Sequence, residues 1–131
     1  MRIAYLDNSA TTRVCRQAAQ KVYEVMTQRY GNPSSLHTKG LEAERELTLA
    51  RAQLSEMLGC RPGELYFTSG GTEANNLAIL GGAAARRRQG NRVVVSAIEH
   101  SSVLEPAKEL EKQGFEVIYL SPNHQGIVER E

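Results

Sequence analysis

The stretch ELYFTSGGTEANNLAIL, residues 64 to 80, joins two kinds of local pattern across a pair of glycines. Residues 64 to 69 are rich in apolar and aromatic side chains, which predicts a β-strand. From Thr72 to Arg88 the sequence is rich in alanine and leucine, which predicts a helix. Gly70 and Gly71 therefore stand at the junction between a predicted strand and a predicted helix.

Such a junction is suited to binding phosphate. A helix N-terminus carries unpaired N–H groups and a partial positive charge, and it binds anions readily. Gly70 and Gly71 would let the backbone approach a phosphate closely and adopt positive φ angles. Thr72 adds a hydroxyl beside its own N–H, and Ser69 offers a second polar contact.

A purely structural interpretation of the same residues stays open. The two glycines also suit a tight turn in which Thr72 is the N-cap and Glu73 is favourable in the first helical turn. The sequence contains neither the P-loop pattern GxxxxGK[ST] nor the dinucleotide pattern GxGxxG. A dinucleotide site is therefore the poorer hypothesis.

Outward from the junction, strand-like and helix-like segments alternate. Strands are predicted at residues 64–69, 92–97 and 115–121, with helices at residues 72–88 and 102–114 between them. This β-α-β-α-β order implies right-handed crossovers and a mostly parallel sheet. The sequence thus predicts the α/β fold class for its second half.

The first half has a different texture. Helices are predicted at residues 15–30 and 41–58, with the stop signals Gly31, Asn32 and Pro33 between them. Gly59 is the expected C-cap of the second helix. We therefore divide the chain into a helical N-terminal segment, residues 1–58, and the start of an α/β domain, residues 59–131.

His100 is a second candidate for the same site. It follows the predicted strand at residues 92–97 and precedes the next helix. In an open α/β sheet, ligands bind beyond the carboxyl ends of the strands, where the Gly71–Thr72 turn also lies. A lone histidine also serves often as a helix cap, and this alternative stays open. His37 and His124 lie in predicted loops and receive no role from their positions.

Composition narrows the class of protein. The formal net charge of +1 gives no electrostatic argument for binding nucleic acid or a membrane surface. Cys15 and Cys60 lack the CxxC spacing of a metal or redox motif, and the opening MRIAYLDNSA does not resemble a signal peptide. We therefore expect a cytoplasmic protein with reduced thiols and without a metal site.

Four stretches together resemble one enzyme family. They are YLDNSATT, YGNPSSLHTKG, FTSGGTEANNLAI and SAIEHSSVLEPAKELEKQGFEVIYL, in this order between Ala4 and Val128. The sequence resembles the opening third of a pyridoxal-phosphate-dependent cysteine desulfurase, a fold-type I enzyme of the class V aminotransferase-like group. Selenocysteine lyases share these motifs, so the substrate within the family stays open.

The resemblance implies an activity and a partial site. Members of the family remove sulfur from L-cysteine, leaving L-alanine and an enzyme persulfide that supplies iron–sulfur cluster assembly or tRNA thiolation. By resemblance, Gly71 and Thr72 hold the phosphate of pyridoxal 5′-phosphate, and His100 stacks on its ring as a catalytic residue that assists proton transfer. Weaker carry-overs place further residues near the substrate: Asn8, Ala10, Thr11, Asn32 and His37. Glu73 and Asn76 are expected to shape the first helical turn instead.

Other parts of the family site are missing from these residues. The family carries its Schiff-base lysine in a downstream Ser-x-His-Lys type motif, and no lysine here follows that pattern. The nucleophilic cysteine and the substrate-binding arginine also lie downstream in the family. We therefore expect this chain to be a fragment that is inactive in isolation. The complete enzyme would be a homodimer that passes sulfur to an acceptor such as an iron–sulfur scaffold protein.

One reading outside enzymology remains. The chain could be a non-catalytic module that binds a phosphate ligand or partners a full-length desulfurase subunit. This hypothesis predicts a monodisperse 131-residue protein without desulfurase activity.

Overall fold

The computed structural model describes residues 3–129 and divides the chain into two compact units. The first unit extends to Tyr66, and the second begins at Phe67. Helices and strands follow in the order α1 (Arg16–Thr27), α2 (Thr38–Leu58), α3 (Gly71–Arg86), β1 (Arg92–Ser96), α4 (Ser101–Lys112) and β2 (Glu116–Leu120). A short 3₁₀ turn, Pro62–Glu64, follows α2.

In the first unit, α2 has a defined cap at each end. His37 is the N-cap and accepts a hydrogen bond from the Gly40 N–H through Nδ1 at 3.4 Å. At the other end, Gly59 adopts the left-handed conformation with φ of 67°, which confirms the predicted C-cap. Helix α2 begins at Thr38, three residues before the predicted start. The hydrogen bond from the Gly40 N–H to the His37 side chain stabilises this earlier first turn.

The loop between α1 and α2 folds back closely on itself. An added Cβ on Gly31 would lie 2.3 Å from the Lys39 carbonyl oxygen, and one on Gly40 would lie 2.0 Å from the Ser35 carbonyl oxygen. The polar loop therefore depends on glycine at these two points of backbone approach.

An ion pair connects helix α1 to helix α2. Glu46 on α2 accepts from Arg29 and lies 3.4 Å from the Lys21 ammonium on α1. The Arg29 hydrogen bond is the main cause of a lowered pKa at Glu46, to which the nearby charges of Arg29 and Lys21 also contribute. An apolar groove of about 550 Å³ lies beside this network and is lined partly by Val25, Met26 and Leu47.

In the second unit, β1 and β2 form a parallel pair connected by α4. The register pairs Arg92 with Glu116 and Ser96 with Leu120, and Arg92 Nε also donates to the Glu116 carboxylate at 2.8 Å. Within residues 3–129 the buried apolar side chains lie on α4 and immediately before β2: Pro106, Ala107, Leu110 and Phe115. The predicted α/β class with a parallel sheet is confirmed.

The arginine-rich end of α3 packs on the turn before β2. Helix α3 ends at Arg86, and Arg87 is its C-cap. Arg87 Nη2 donates to the Gln113 carbonyl at 2.9 Å, and its guanidinium lies 5.2 Å from the centre of the Phe115 ring. The basic run Arg86–Arg88 thus lies at the C-terminus of α3, and Arg87 also covers the buried Phe115 ring.

The first predicted strand is wrong as a sheet strand. Residues 65–68 have no regular secondary structure, and the sheet formed by residues 3–129 contains β1 and β2 alone. The Leu65 carbonyl instead accepts a hydrogen bond from Arg51 on α2. An apolar, aromatic sequence favours extended backbone, but a strand needs a ladder of hydrogen bonds with a neighbour. Here the backbone of Leu65 is paired with a side chain instead.

Candidate functional site

The N-terminus of α3 is open. Gly70 is the N-cap, and no side chain caps the helix. The Gly70 carbonyl accepts from the Ala74 N–H at 3.1 Å, which closes the first helical turn. Because the first N–H groups of a helix have no intrahelical acceptor, those of Gly71 and Thr72 are available to a ligand. An added Cβ on Gly70 or Gly71 would meet nothing within 4 Å, so the backbone of this turn is uncrowded beside each glycine Cα.

The backbone of this turn differs from the sequence prediction. Gly70 has φ of 166° and ψ of 179°, which is extended backbone, and Gly71 is already helical. The expected positive φ angles are therefore wrong. Thr72 is the second residue of the helix and not its N-cap, because the Gly70 carbonyl makes the first helical hydrogen bond. The glycines contribute space at this site and not an unusual conformation.

Glu73 turns back over the start of the helix. Its Oε2 accepts from the Ser69 N–H at 2.6 Å and from the Ser69 hydroxyl at 2.7 Å. These two hydrogen bonds, with the backbone bond first, lower the pKa of the Glu73 carboxyl. Ser69 is thereby engaged with Glu73, which corrects the expectation that its hydroxyl would serve a ligand. Asn76 Nδ2 donates to the Thr72 carbonyl at 2.8 Å. Glu73 and Asn76 therefore both shape the first helical turn, as predicted.

His100 is the N-cap of α4. Its Nδ1 accepts from the Ser102 N–H at 3.1 Å and lies 2.8 Å from the Ser102 hydroxyl oxygen. The helix-cap alternative for His100 is therefore confirmed. That role occupies Nδ1 and leaves Nε2 as the ring nitrogen for a ligand.

A hydrogen bond links the N-terminal parts of the two helices. Asn75 Nδ2 of α3 donates to the Ser102 hydroxyl of α4 at 2.8 Å. The Gly71–Thr72 turn and His100 consequently lie at one edge of the second unit. Sequence reasoning missed Asn75 and Ser102. The one available signal was a pair of adjacent asparagines, which are poor helix formers, in a helix otherwise rich in alanine, leucine and glycine.

The four lysines of the chain are all paired with glutamates. Their ammonium groups contact carboxylates one helical turn away, with Lys21 also reaching across to Glu46. The other pairs are Lys39–Glu42, Lys108–Glu105 and Lys112–Glu109, at 2.8, 2.6 and 3.2 Å. This arrangement is typical of solvated helix faces.

The predicted substrate-side residues lie in the first unit. Asn8 and Ala10 form an exposed turn in which the Ala10 N–H donates to the Asp7 carbonyl at 3.3 Å and the Thr11 N–H to the same carbonyl at 3.5 Å. Asn32 Oδ1 accepts from the Ser34 N–H at 2.9 Å, and His37 caps α2. Their proximity to a substrate stays a prediction.

The donors at the start of α3 fit a phosphate group. Gly71 and Thr72 present backbone N–H groups and a hydroxyl at the positive end of a helix dipole, with an uncrowded backbone beside the glycines. The acidic neighbour Glu73 is turned onto Ser69. The Gly71–Thr72 turn and His100, at one edge of a parallel α/β unit, are a suitable arrangement for a phosphorylated ligand.

Comparison with known proteins gives the family. Residues 4–131 match the family model described as aminotransferase class-V. Cysteine desulfurase IscS of Methanosarcina thermophila is 44% identical over 124 residues, covering 95% of this chain and 31% of the relative. The chain therefore belongs to the class V aminotransferase family. It spans about a third of the length of the curated relatives it matches.

Solved structures agree. A NifS-like protein superposes with a TM-score of 0.86 at 36% identity, covering 98% of this chain and 35% of its own. A structure titled SspA in complex with cysteine has a TM-score of 0.79 at 35% identity, covering 91% of this chain and 34% of its own. These matches confirm a partial fold-type I domain.

Among the described residues, no helix is long and apolar enough to cross a membrane.

Proposed function

We propose that this chain supplies the phosphate turn and the ring-stacking histidine of a pyridoxal 5′-phosphate-dependent cysteine desulfurase. The enzyme would remove sulfur from L-cysteine, leave L-alanine, and pass a persulfide sulfur to an acceptor for iron–sulfur cluster assembly or tRNA thiolation. The observation that carries the proposal is the Asn75–Ser102 hydrogen bond, which brings Gly71, Thr72 and His100 to one edge. Relatives named cysteine desulfurase support the substrate.

The residues present divide the work. Gly71 and Thr72 would hold the cofactor phosphate through N–H groups and a hydroxyl. His100 would lie against the pyridine ring and hold or move a proton at Nε2, since Nδ1 is engaged by Ser102. The bound cofactor supplies an electron sink for the substrate carbon. Asn8, Ala10 and Thr11 would lie near the substrate when the two units and the rest of the enzyme are assembled.

Catalysis also needs groups that these residues do not provide. None of the four lysines follows the Ser-x-His-Lys type motif of the family, so the Schiff-base lysine would come from polypeptide outside the 131 residues. The same holds for the nucleophilic cysteine, which lies downstream in the family and which neither Cys15 nor Cys60 matches in position. We infer a cytoplasmic homodimer as the working enzyme and an inactive isolated chain.

Purification from the source cells tests the proposal. An antibody raised against a peptide of residues 36–48 allows recovery of the protein at its natural size. We expect a polypeptide about three times as long as this chain, with a pyridoxal chromophore and sulfide release from L-cysteine in the presence of a thiol. A protein of this chain's own mass, free of cofactor and inactive even with its co-purifying partners, would contradict the proposal and favour a non-catalytic module.

Substrate choice is tested with the same preparation. L-cysteine and L-selenocysteine are compared at equal concentration, and alanine formation is followed for both. A desulfurase should turn over both amino acids. Turnover of L-selenocysteine alone would identify a selenocysteine lyase and contradict the proposed substrate.

A further inference from the structure

We propose that Ser102, held by Asn75, positions His100 by fixing its imidazole as the tautomer that carries its proton on Nε2. This inference rests on the proposed function for its consequence, since a proton on Nε2 matters only where that nitrogen faces a ligand. The residues that carry it lie near the N-termini of α3 and α4 in one unit.

The backbone sets the direction of the first hydrogen bond. The Ser102 N–H lies 3.1 Å from His100 Nδ1 and can only donate. A protonated Nδ1 would place two hydrogens against each other, so Nδ1 must be the acceptor. In the neutral ring, the remaining proton then resides on Nε2.

Hydrogen bonds between side chains favour the same tautomer of His100. Asn75 Nδ2 donates to the Ser102 oxygen at 2.8 Å, and this leaves the hydroxyl hydrogen free to donate to His100 Nδ1, also at 2.8 Å. Ser102 is 7% exposed, so little water competes for its hydroxyl. The donors therefore run in one direction, from the Asn75 amide through the serine to the imidazole.

His37 provides an internal comparison. It also caps a helix through Nδ1, but its donor is the Gly40 N–H at 3.4 Å. The bond is longer than that at His100. We therefore expect a weaker tautomer preference at His37 than at His100.

The test reads the tautomers directly. The chain is labelled with ¹⁵N-histidine, and long-range ¹H–¹⁵N correlation spectra resolve the rings of His37, His100 and His124. We expect His100 to carry its proton on Nε2. Ser102→Ala should reduce the ratio of the two tautomers about fivefold, the change that one ordinary hydrogen bond produces. Ser102→Thr keeps a hydroxyl and should restore the ratio, and the His37 ratio should stay constant throughout.

Two outcomes would overturn the inference: an unchanged His100 ratio in Ser102→Ala, or a proton on Nδ1 in the unaltered chain. If Ser102→Ala unfolds the chain, Asn75→Asp decides instead. An aspartate accepts the serine hydroxyl hydrogen and draws it away from Nδ1, so the ratio should fall as in Ser102→Ala. A ratio equal to that of the unaltered chain would again contradict the relay.

The tautomer is measured without cofactor, so its result is independent of the proposed function. In the enzyme recovered from source cells, Ser102→Ala should slow sulfide release about fivefold and Ser102→Thr should recover it. Absence of a pyridoxal chromophore in that enzyme would end the proposed function and leave the tautomer result standing. A changed tautomer with an unchanged rate would show that the relay does not position His100 for the reaction.

Discussion

Thr72 provides two of the proposed hydrogen-bond donors to the phosphate, its N–H and its hydroxyl. It is the second residue of α3, where its N–H has no acceptor within the helix, and its hydroxyl is attached to the same residue. A hydroxyl and an N–H on one residue can bind the same phosphate oxygen or two neighbouring ones. The cofactor should therefore depend on this side chain more than on any other in α3.

The first prediction concerns that hydroxyl. In the complete enzyme, Thr72→Leu should weaken retention of pyridoxal 5′-phosphate about tenfold or more, because a hydrogen bond to a charged group is lost and bulk is added. Cofactor content after dialysis is the measurement. Thr72→Ser keeps the hydroxyl and serves as the matched control. Equal cofactor content in the leucine and serine variants would exclude Thr72 as a phosphate ligand.

The second prediction separates the two roles of His100. His100→Ala removes both the imidazole and the N-cap of α4, whereas His100→Asn removes the ring and keeps a side chain that caps helices well. Both variants should alter the cofactor absorbance and slow turnover at least about 100-fold if the ring assists proton transfer. Only the alanine variant should also lose about 1 kcal/mol of stability.

Absorbance spectra, sulfide release and thermal unfolding of the two variants check this prediction. A wild-type spectrum and rate in His100→Asn would show that the imidazole serves only as a cap. A similar loss of stability in both variants would show instead that the cap is not separable from the ring.

At the scale of helices and strands, the start of α3 couples stability to pH. Ionised Glu73 accepts two hydrogen bonds from Ser69, and its pKa in the folded chain is lower than the ordinary value of 4.5. The resulting stabilisation is present above the unfolded-state pKa and is lost as the pH falls through the folded-state pKa. Helix α3 should therefore weaken in acid.

This gives a third prediction. The urea midpoint of the chain should exceed that of Glu73→Gln at neutral pH, and the difference should shrink as the pH falls below about 4.5. Glu99→Gln changes the net charge equally and is the control for general charge effects. A difference that stays constant between neutral pH and pH 3 would contradict the Ser69–Glu73 hydrogen bonds.

The loop before α2 gives a fourth prediction. Gly40→Ala would place a methyl group 2.0 Å from the Ser35 carbonyl oxygen, a contact that backbone atoms must move to relieve. The expected cost is about 1–3 kcal/mol in the free energy of unfolding. Gly63→Ala meets nothing within 4 Å and should cost little by comparison. Urea denaturation of the two variants measures the contrast, and equal midpoints would refute the close approach.

Much of the second unit follows from its sequence. The alternation of segments predicted α3, β1, α4 and β2 in the correct order and with a parallel sheet. Local pattern failed at residues 64–69, because a strand is defined by its partner and not by its own composition. It also misplaced the N-cap by two residues, since any of several neighbouring residues can cap a helix.

The candidate site was only partly predictable for a similar reason. Gly71, Thr72 and His100 stand at ends of segments, where sequence signals for turns and caps are strong. Asn75 and Ser102 form a contact between residues that are 27 positions apart in sequence. The adjacent asparagines mark an unusual position in α3, but a single sequence does not identify the partner, because the contact depends on how two helices pack.

At the scale of the whole molecule, the chain exposes much apolar surface. Among residues 3–129 many large apolar side chains are exposed, including Leu6 at 91% and Met26 at 72%, while few are buried. Soluble monomers rarely expose large contiguous apolar patches. The two-stranded sheet also leaves strand edges that can pair with other chains.

The fifth prediction follows from that surface. The isolated chain should self-associate as its concentration rises, and it should bind a hydrophobic dye such as ANS more strongly than a compact domain of equal size. Sedimentation velocity over a range of concentrations is the measurement. A monodisperse monomer that binds little dye would contradict this prediction and would support an independent module.

The candidate site and both strands lie within a short stretch of sequence, which has a consequence during synthesis. Roughly 50 residues, from Gly71 to Leu120, contain both helix starts of the site and both strands. A ribosome adds about 5–20 residues per second, so this stretch takes roughly 3–10 s to make. Helices form within microseconds. The Asn75–Ser102 hydrogen bond can therefore form while translation is still under way. The proposed phosphate site at Gly71 and Thr72 would then be in place before the rest of the enzyme is made.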